Sequence, residues 1–288
     1  MMGFPRDVGV IDTMLDLPRG ENDWSKRYAG LLRDKESRAQ AFAHPAGYMF
    51  KDPVDPTRII DPIGDTLRGM DAHNIDKALI TVGDDLSLTA LTHHPDRFLG
   101  QVYVDPNDGM DAVRLITRAV EEFGAIAASF FPCGANVAID DKRAYPIYAK
   151  CAELDIPIFI NVGVPGPRMP YKPQYVGLLD EVCWFFPDLK IVMRHGAEPW
   201  TDLAVKLLLK WPNLYYSTSA FAPKYFPKDI IEFANKRGAD KILYAGYYPS
   251  GLSLERSFAE LPDLPLKDEV WPKFLRENAL KLLKLEGK

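Results

Sequence analysis

Short apolar runs rich in β-branched and aromatic residues recur along the chain. They are VGVID (8–12), KALITV (77–82), FLGQVYV (98–104), AIAASFF (125–131), PIFINV (157–162), LKIVMR (189–194), NLYYST (213–218) and KILYAG (241–246). Runs of this length and type predict strands. The segments between them have helical spacing. PIGDTLRGMDAHN sets Ile63, Leu67 and Met70 on one side, and GMDAVRLITRAVEEFG does the same with Val113, Ile116 and Val120. YPIYAKCAELD, YVGLLDEVCWFFPD, PWTDLAVKLLLKWP and PKDIIEFANKRG continue the pattern. Strands alternating with helices predict a parallel α/β architecture. A count of eight in 288 residues predicts a closed (β/α)8 TIM-like barrel forming one domain over residues 1–288.

Two segments are too long for plain connections. Residues 18–60 follow the first strand and include a helix predicted over 22–43, opened by Asn22 or Asp23, and then the proline-rich HPAGYMFKDPVDP. GVPGPRMPYKPQY (163–175) follows the fifth strand. Loops at the C-terminal ends of barrel strands surround the active site, so both segments are expected as lids. The C-terminal helix carries Ala279, Leu282, Leu283 and Leu285 on its apolar side and is expected only to pack.

Composition narrows the function classes. A formal net charge of -5 argues against a nucleic-acid partner, which would want a basic surface. The chain has no apolar run of about 18 residues, so no membrane span is expected. Its first residues carry no apolar signal core, and a cytoplasmic protein is expected. The three cysteines, Cys133, Cys151 and Cys183, have no CxxC spacing and read as buried small hydrophobes, with Cys133 nearest a strand end.

Candidate chemistry gathers at predicted strand ends. His195 follows KIVMR, Asn161 closes PIFIN, and Tyr247 and Tyr248 follow KILYAG. Met14 and Asp16 share a face with Asp12 if the first strand stays extended, and Asp84 and Asp85 follow the second strand. Arg194 is set aside, because alternation turns it away from His195. His44 reaches the site only if the 18–60 insertion folds over the mouth.

The pieces HPDRFLGQVYVDP (94–106), YPIYAKCAELDIPIFINVG (145–163), IVMRHGAEPW (191–200), WPNLYYSTSA (211–220), DKILYAGYYP (240–249) and NALKLLKL (278–285), in this order, carry a resemblance over nearly the whole chain. The sequence resembles the amidohydrolase-related family typified by aminocarboxymuconate semialdehyde decarboxylase. The resemblance implies a (β/α)8 barrel and, by family habit, a homodimer. It also implies an I-D-x-H-x-H metal motif, a further histidine after the fifth strand, a sixth-strand His-Gly and a G-S-D-Y-P-like close. This chain has Met14 and Asp16 at the first two histidine positions, Asn161 at the third and Tyr247 at the aspartate; His195-Gly196 is kept. Thioether, phenol and carboxamide are poor ligands for a divalent ion, so no metal and no cofactor are expected.

The resulting expectation is a metal-independent hydrolase or carboxy-lyase acting on a small carbonyl or carboxylate compound. His195, titrating near neutrality, is the acid–base group, Asp16 orients it, and Tyr247 donates to an oxyanion. Asn161, Tyr248, Arg168 and Met14 are expected to line the substrate. The alternative is an inactive relative that binds a ligand or partner subunit.

Overall fold

The structure is a computed structural model that describes residues 3–19, 28–40, 46–50, 54–55 and 58–287. Its strands are β1 (Val10–Asp12), β2 (Ile75–Val82), β3 (Phe98–Tyr103), β4 (Ala127–Phe130), β5 (Ile158–Asn161), β6 (Ile191–Arg194), β7 (Leu214–Ser217) and β8 (Ile242–Leu243). Neighbours pair in parallel in sequence order, β1 to β8. The ring closes where the Thr13 backbone N–H and hydroxyl both donate to the Tyr244 carbonyl, at 3.2 and 2.8 Å. The predicted barrel is therefore the observed one.

Helices follow the strands as the spacing predicts, and their starts are chemically marked. Asp61 caps Pro62–Ala72 by accepting from the Gly64 N–H, with proline in the first turn. Asp84 caps Asp85–His93 in a reciprocal box with Ser87.

Two apolar layers result. One lies between the strands and the outer helices. The other fills the barrel: Ile11, Leu79, Leu99, Ala127, Phe159, Val192 and Leu243 pack on Ala279, Leu282, Leu283 and Leu285 of the C-terminal segment. That segment thus plugs the N-terminal end, leaving the opposite mouth for chemistry.

The helix predicted over 22–43 lies partly outside the described residues, as do its caps Asn22 and Asp23 and also His44. Within the described part stand a helical turn, Ala29–Leu31, and a helix, Lys35–Gln40. β1 ends at Asp12, so Met14 and Asp16 are not strand residues. Asp12 lies opposite the inward Ile11, in the seam with β8, where its Oδ1 accepts from the Gly246 and Met14 N–H groups at 2.9 Å each.

Candidate active site at the barrel mouth

Above the apolar plug the inward positions turn polar. Alternation carries the inward face from Leu79 to Thr81, from Leu99 to Gln101, from Phe159 to Asn161 and from Val192 to Arg194. Asn161 and Arg194 are register partners on β5 and β6. Arg194 therefore enters the barrel. Its guanidinium lies 4.3 Å above the Phe159 ring, and its Nη2 donates to Gln101 Oε1 at 2.8 Å and to the Thr13 carbonyl at 3.0 Å. Gln101 Nε2 in turn donates to Thr81 Oγ1 at 3.4 Å. The expectation that set Arg194 aside is corrected: it is the inward residue of β6. The sequence signal was weak because β6 is apolar on both faces, so alternation alone could not orient it.

His195 reaches the mouth by a different route. Its backbone leaves the strand with φ +65°, followed by Gly196 at +85° and Ala197 at +59°. Such a left-handed run is costly for residues with a Cβ. At Gly196 a Cβ would also come within 2.5 Å of the Phe221 ring, so only glycine fits. Ser219 Oγ accepts the His195 N–H and lies 3.2 Å from its Nδ1. Burial, and then the Arg194 charge, push the imidazole down to about 3. The expectation that His195 titrates near neutrality is corrected accordingly. In the tautomer whose Nδ1 accepts a hydrogen bond from the Ser219 hydroxyl, the neutral ring carries its proton on Nε2.

Tyr247 meets His195 edge to face, with ring centroids 5.5 Å apart at 78°, and stacks on Phe50 of the 18–60 insertion at 5.6 Å. Burial raises its hydroxyl to about 12, against the opposing pull of the Arg194 charge. On another wall Tyr28, also from the insertion, bonds to the Tyr103 hydroxyl and packs edge to face on Phe131. Cys133 belongs to this aromatic group and points its thiol at the Pro170 carbonyl, 3.1 Å away; burial pushes that thiol up to about 12.

The structure thus brings together His195, Tyr247 and Asn161 from the expected set, and adds Arg194, Gln101, Ser219 and Phe50. The others go elsewhere. Asp16 Oδ1 accepts from Arg19 Nη1 at 2.7 Å, and Arg19 Nε donates to Asp84 Oδ2 at 2.6 Å. Asp16 is therefore the partner of Arg19, and nothing in its contacts orients His195. Met14 is half-buried, with its backbone N–H held by Asp12 and no side-chain hydrogen bond that ties it to His195 or Tyr247 among the described residues. Tyr248 packs into the outer layer, one residue out of phase with Tyr247. Arg168 donates from Nη1 to Asp34 and Glu36, 2.8 Å each, with Tyr48 beneath it. These surface contacts, rather than the mouth, hold it.

Solved structures of this shape are known. A TIM-barrel protein of Bordetella bronchiseptica matches with a TM-score of 0.75 at 21% identity, covering 97% of this chain and 100% of its own. The 5-carboxyvanillate decarboxylase of Novosphingobium aromaticivorans, solved with manganese and 4-hydroxy-3-methoxy-5-nitrobenzoic acid, matches with 0.72 at 19% identity, covering 98% of both chains. A dihydroxybenzoic acid decarboxylase of Polaromonas, solved with manganese and 2-nitroresorcinol, matches with 0.63 at 19% identity, covering 97% of this chain and 98% of its own.

The manganese in these neighbours contradicts the expectation of no metal and no cofactor. The donor set here does not match such an ion. Among the described residues no three His, Cys, Asp or Glu side chains gather as ligands. Asp16 is engaged by Arg19, and Met14, Asn161 and Tyr247 offer a thioether, a carboxamide and a phenol, which are poor ligands for such an ion.

Among the described residues no helix is long and apolar enough to cross a membrane. No curated relative matches by sequence. A family model described as Amidohydrolase matches residues 22–285, and on that match the chain belongs to the amidohydrolase family.

Proposed function

We propose that this protein is a carboxy-lyase acting on a small aromatic carboxylate. One observation carries the reading: aromatic rings and proton-bearing polar atoms meet at the mouth, Phe50 on Tyr247 and Tyr247 against His195. Ring faces and edges of this kind suit a planar aromatic ligand. Support comes from neighbours of the same fold that decarboxylate 5-carboxyvanillate and dihydroxybenzoates.

The reaction breaks the bond between ring carbon and carboxylate, releases carbon dioxide and leaves an electron pair that needs one proton. Tyr247 stands where the resemblance places an aspartate, and its hydroxyl supplies that proton. The O–H bond breaks, a C–H bond forms, and the phenolate left behind is stabilised by the Arg194 charge until water reprotonates it. Neutral His195 does not supply the proton; its Nε2–H holds a phenol or carbonyl oxygen of the substrate.

The test is carbon dioxide release from a panel of hydroxybenzoates by the wild type and by Tyr247→Phe. Release by the wild type and a loss of about a hundredfold or more in kcat for the variant are expected. Failure of the whole panel, or full activity in the variant, refutes the reading.

A further inference from the structure

We propose that Arg194 is the anion receptor of the mouth and that it selects ligands carrying one carboxylate beside a planar ring. This deepens the decarboxylase reading and rests on it for the reaction, though not for binding.

Arg194 is 3% exposed. Both of its hydrogen bonds, to Gln101 Oε1 and the Thr13 carbonyl, go to neutral oxygens and use only Nη2. Its Nε is buried with no partner, and its Nη1 donates to none of the described residues. Asp12 and Asp16 act on it only through space. Burial pulls the guanidinium down to about 9, which still leaves it charged at neutral pH. A buried cation without a contacting anion is costly unless a ligand supplies one. Gln101, Thr13 and the Phe159 ring fix the guanidinium plane in advance, so little ordering is left for binding. The free donors then take a carboxylate oxygen in a charge-assisted bond.

A single guanidinium with open donors suits one carboxylate: the other nearby arginine, Arg19, spends its donors on Asp16 and Asp84. Asn161, the register partner of Arg194, offers an amide for the second carboxylate oxygen.

Benzoate and benzamide share shape and differ in charge. Their binding to the wild type and to Arg194→Met, by titration calorimetry at pH 7, tests the proposal. The wild type is expected to prefer benzoate by about ten- to a hundredfold. In Arg194→Met that ratio falls to about one while benzamide binding holds. Arg194→Gln, which keeps an N–H donor for Thr13, replaces the methionine variant if that one does not fold. A wild type that binds benzoate no better than benzamide, or a folded variant that keeps the preference, overturns the proposal. Arg194-dependent benzoate binding without carbon dioxide release from any hydroxybenzoate leaves the receptor standing and refutes the decarboxylase. Release with a preference indifferent to Arg194 does the reverse.

Discussion

Asp12 offers a quantitative test of how this barrel is sealed. Its carboxyl is fully buried in the seam between β1 and β8. Oδ1 accepts the Gly246 and Met14 N–H groups, while Oδ2 and the nearby Tyr244 hydroxyl have no partner among the described residues. Burial dominates these bonds and raises the group from 3.8 to about 6. Because the folded-state value lies above the unfolded one, the folded protein holds an extra proton between them. Asp12 therefore stabilises the fold at low pH, and that contribution is lost as pH rises from about 4 to about 6. At about 1.4 kcal/mol per pH unit, the loss over this window is about 3 kcal/mol.

Asp12→Asn keeps the acceptor for Gly246 and Met14 and removes the titration. Urea unfolding of both proteins at several pH values between 4 and 7 gives the difference directly. The variant is expected to gain on the wild type by about 3 kcal/mol from the acid to the neutral end of that range. A stability difference that stays flat across it, or that moves toward the wild type as pH rises, refutes the claim that burial outweighs the two N–H bonds at this carboxyl.

Phe159→Ala removes the ring beneath Arg194 and leaves a hole inside the barrel; a loss of about 3–5 kcal/mol in chemical denaturation is expected, with Phe159→Leu losing less. Because His195 stays neutral down to about 3, the acid limb of a kcat/KM profile between pH 5 and 8 should be the same in the wild type and in His195→Gln. A wild-type inflection near 6.5 that disappears in the variant would contradict this. Arg168→Ala frees loop 163–175 from Asp34 and Glu36, so limited proteolysis should cut that loop faster while the melting temperature stays put.

Much of the fold was legible because a barrel strand buried on both faces reads as a short β-branched run, and eight such runs survive any uncertainty about their ends. Those ends were less legible. KILYAG reads as a strand through residue 246, yet β8 is only Ile242–Leu243, because its later backbone turns to close the ring through Thr13 and to receive Asp12. The first strand stops early for the same reason. An acceptor at Asp12 Oδ1 fixes the Met14 N–H and ends the extended run, so counting by twos from Asp12 to Asp16 assigns faces that no strand provides.

The site shows where local reasoning gives out. Placing His195 and Arg194 by one alternation rule made them rivals for a single face. The backbone evades that choice, since a left-handed step at His195 lets the strand send Arg194 inward while its successor returns to the mouth. That step is possible only because Gly196 follows and Ser219 takes the displaced N–H. Two groups that a strand would hold apart thus share one space, where burial, and then the guanidinium charge, keeps the imidazole neutral, while the guanidinium stays charged with no anion in contact. A protonated His195 would put two cations side by side in a buried pocket, at a cost neither Asp12 nor Asp16 offsets by contact. The ligand chemistry follows from that pairing: an anion relieves Arg194, and a neutral donor beside it holds the oxygen that the anion leaves free.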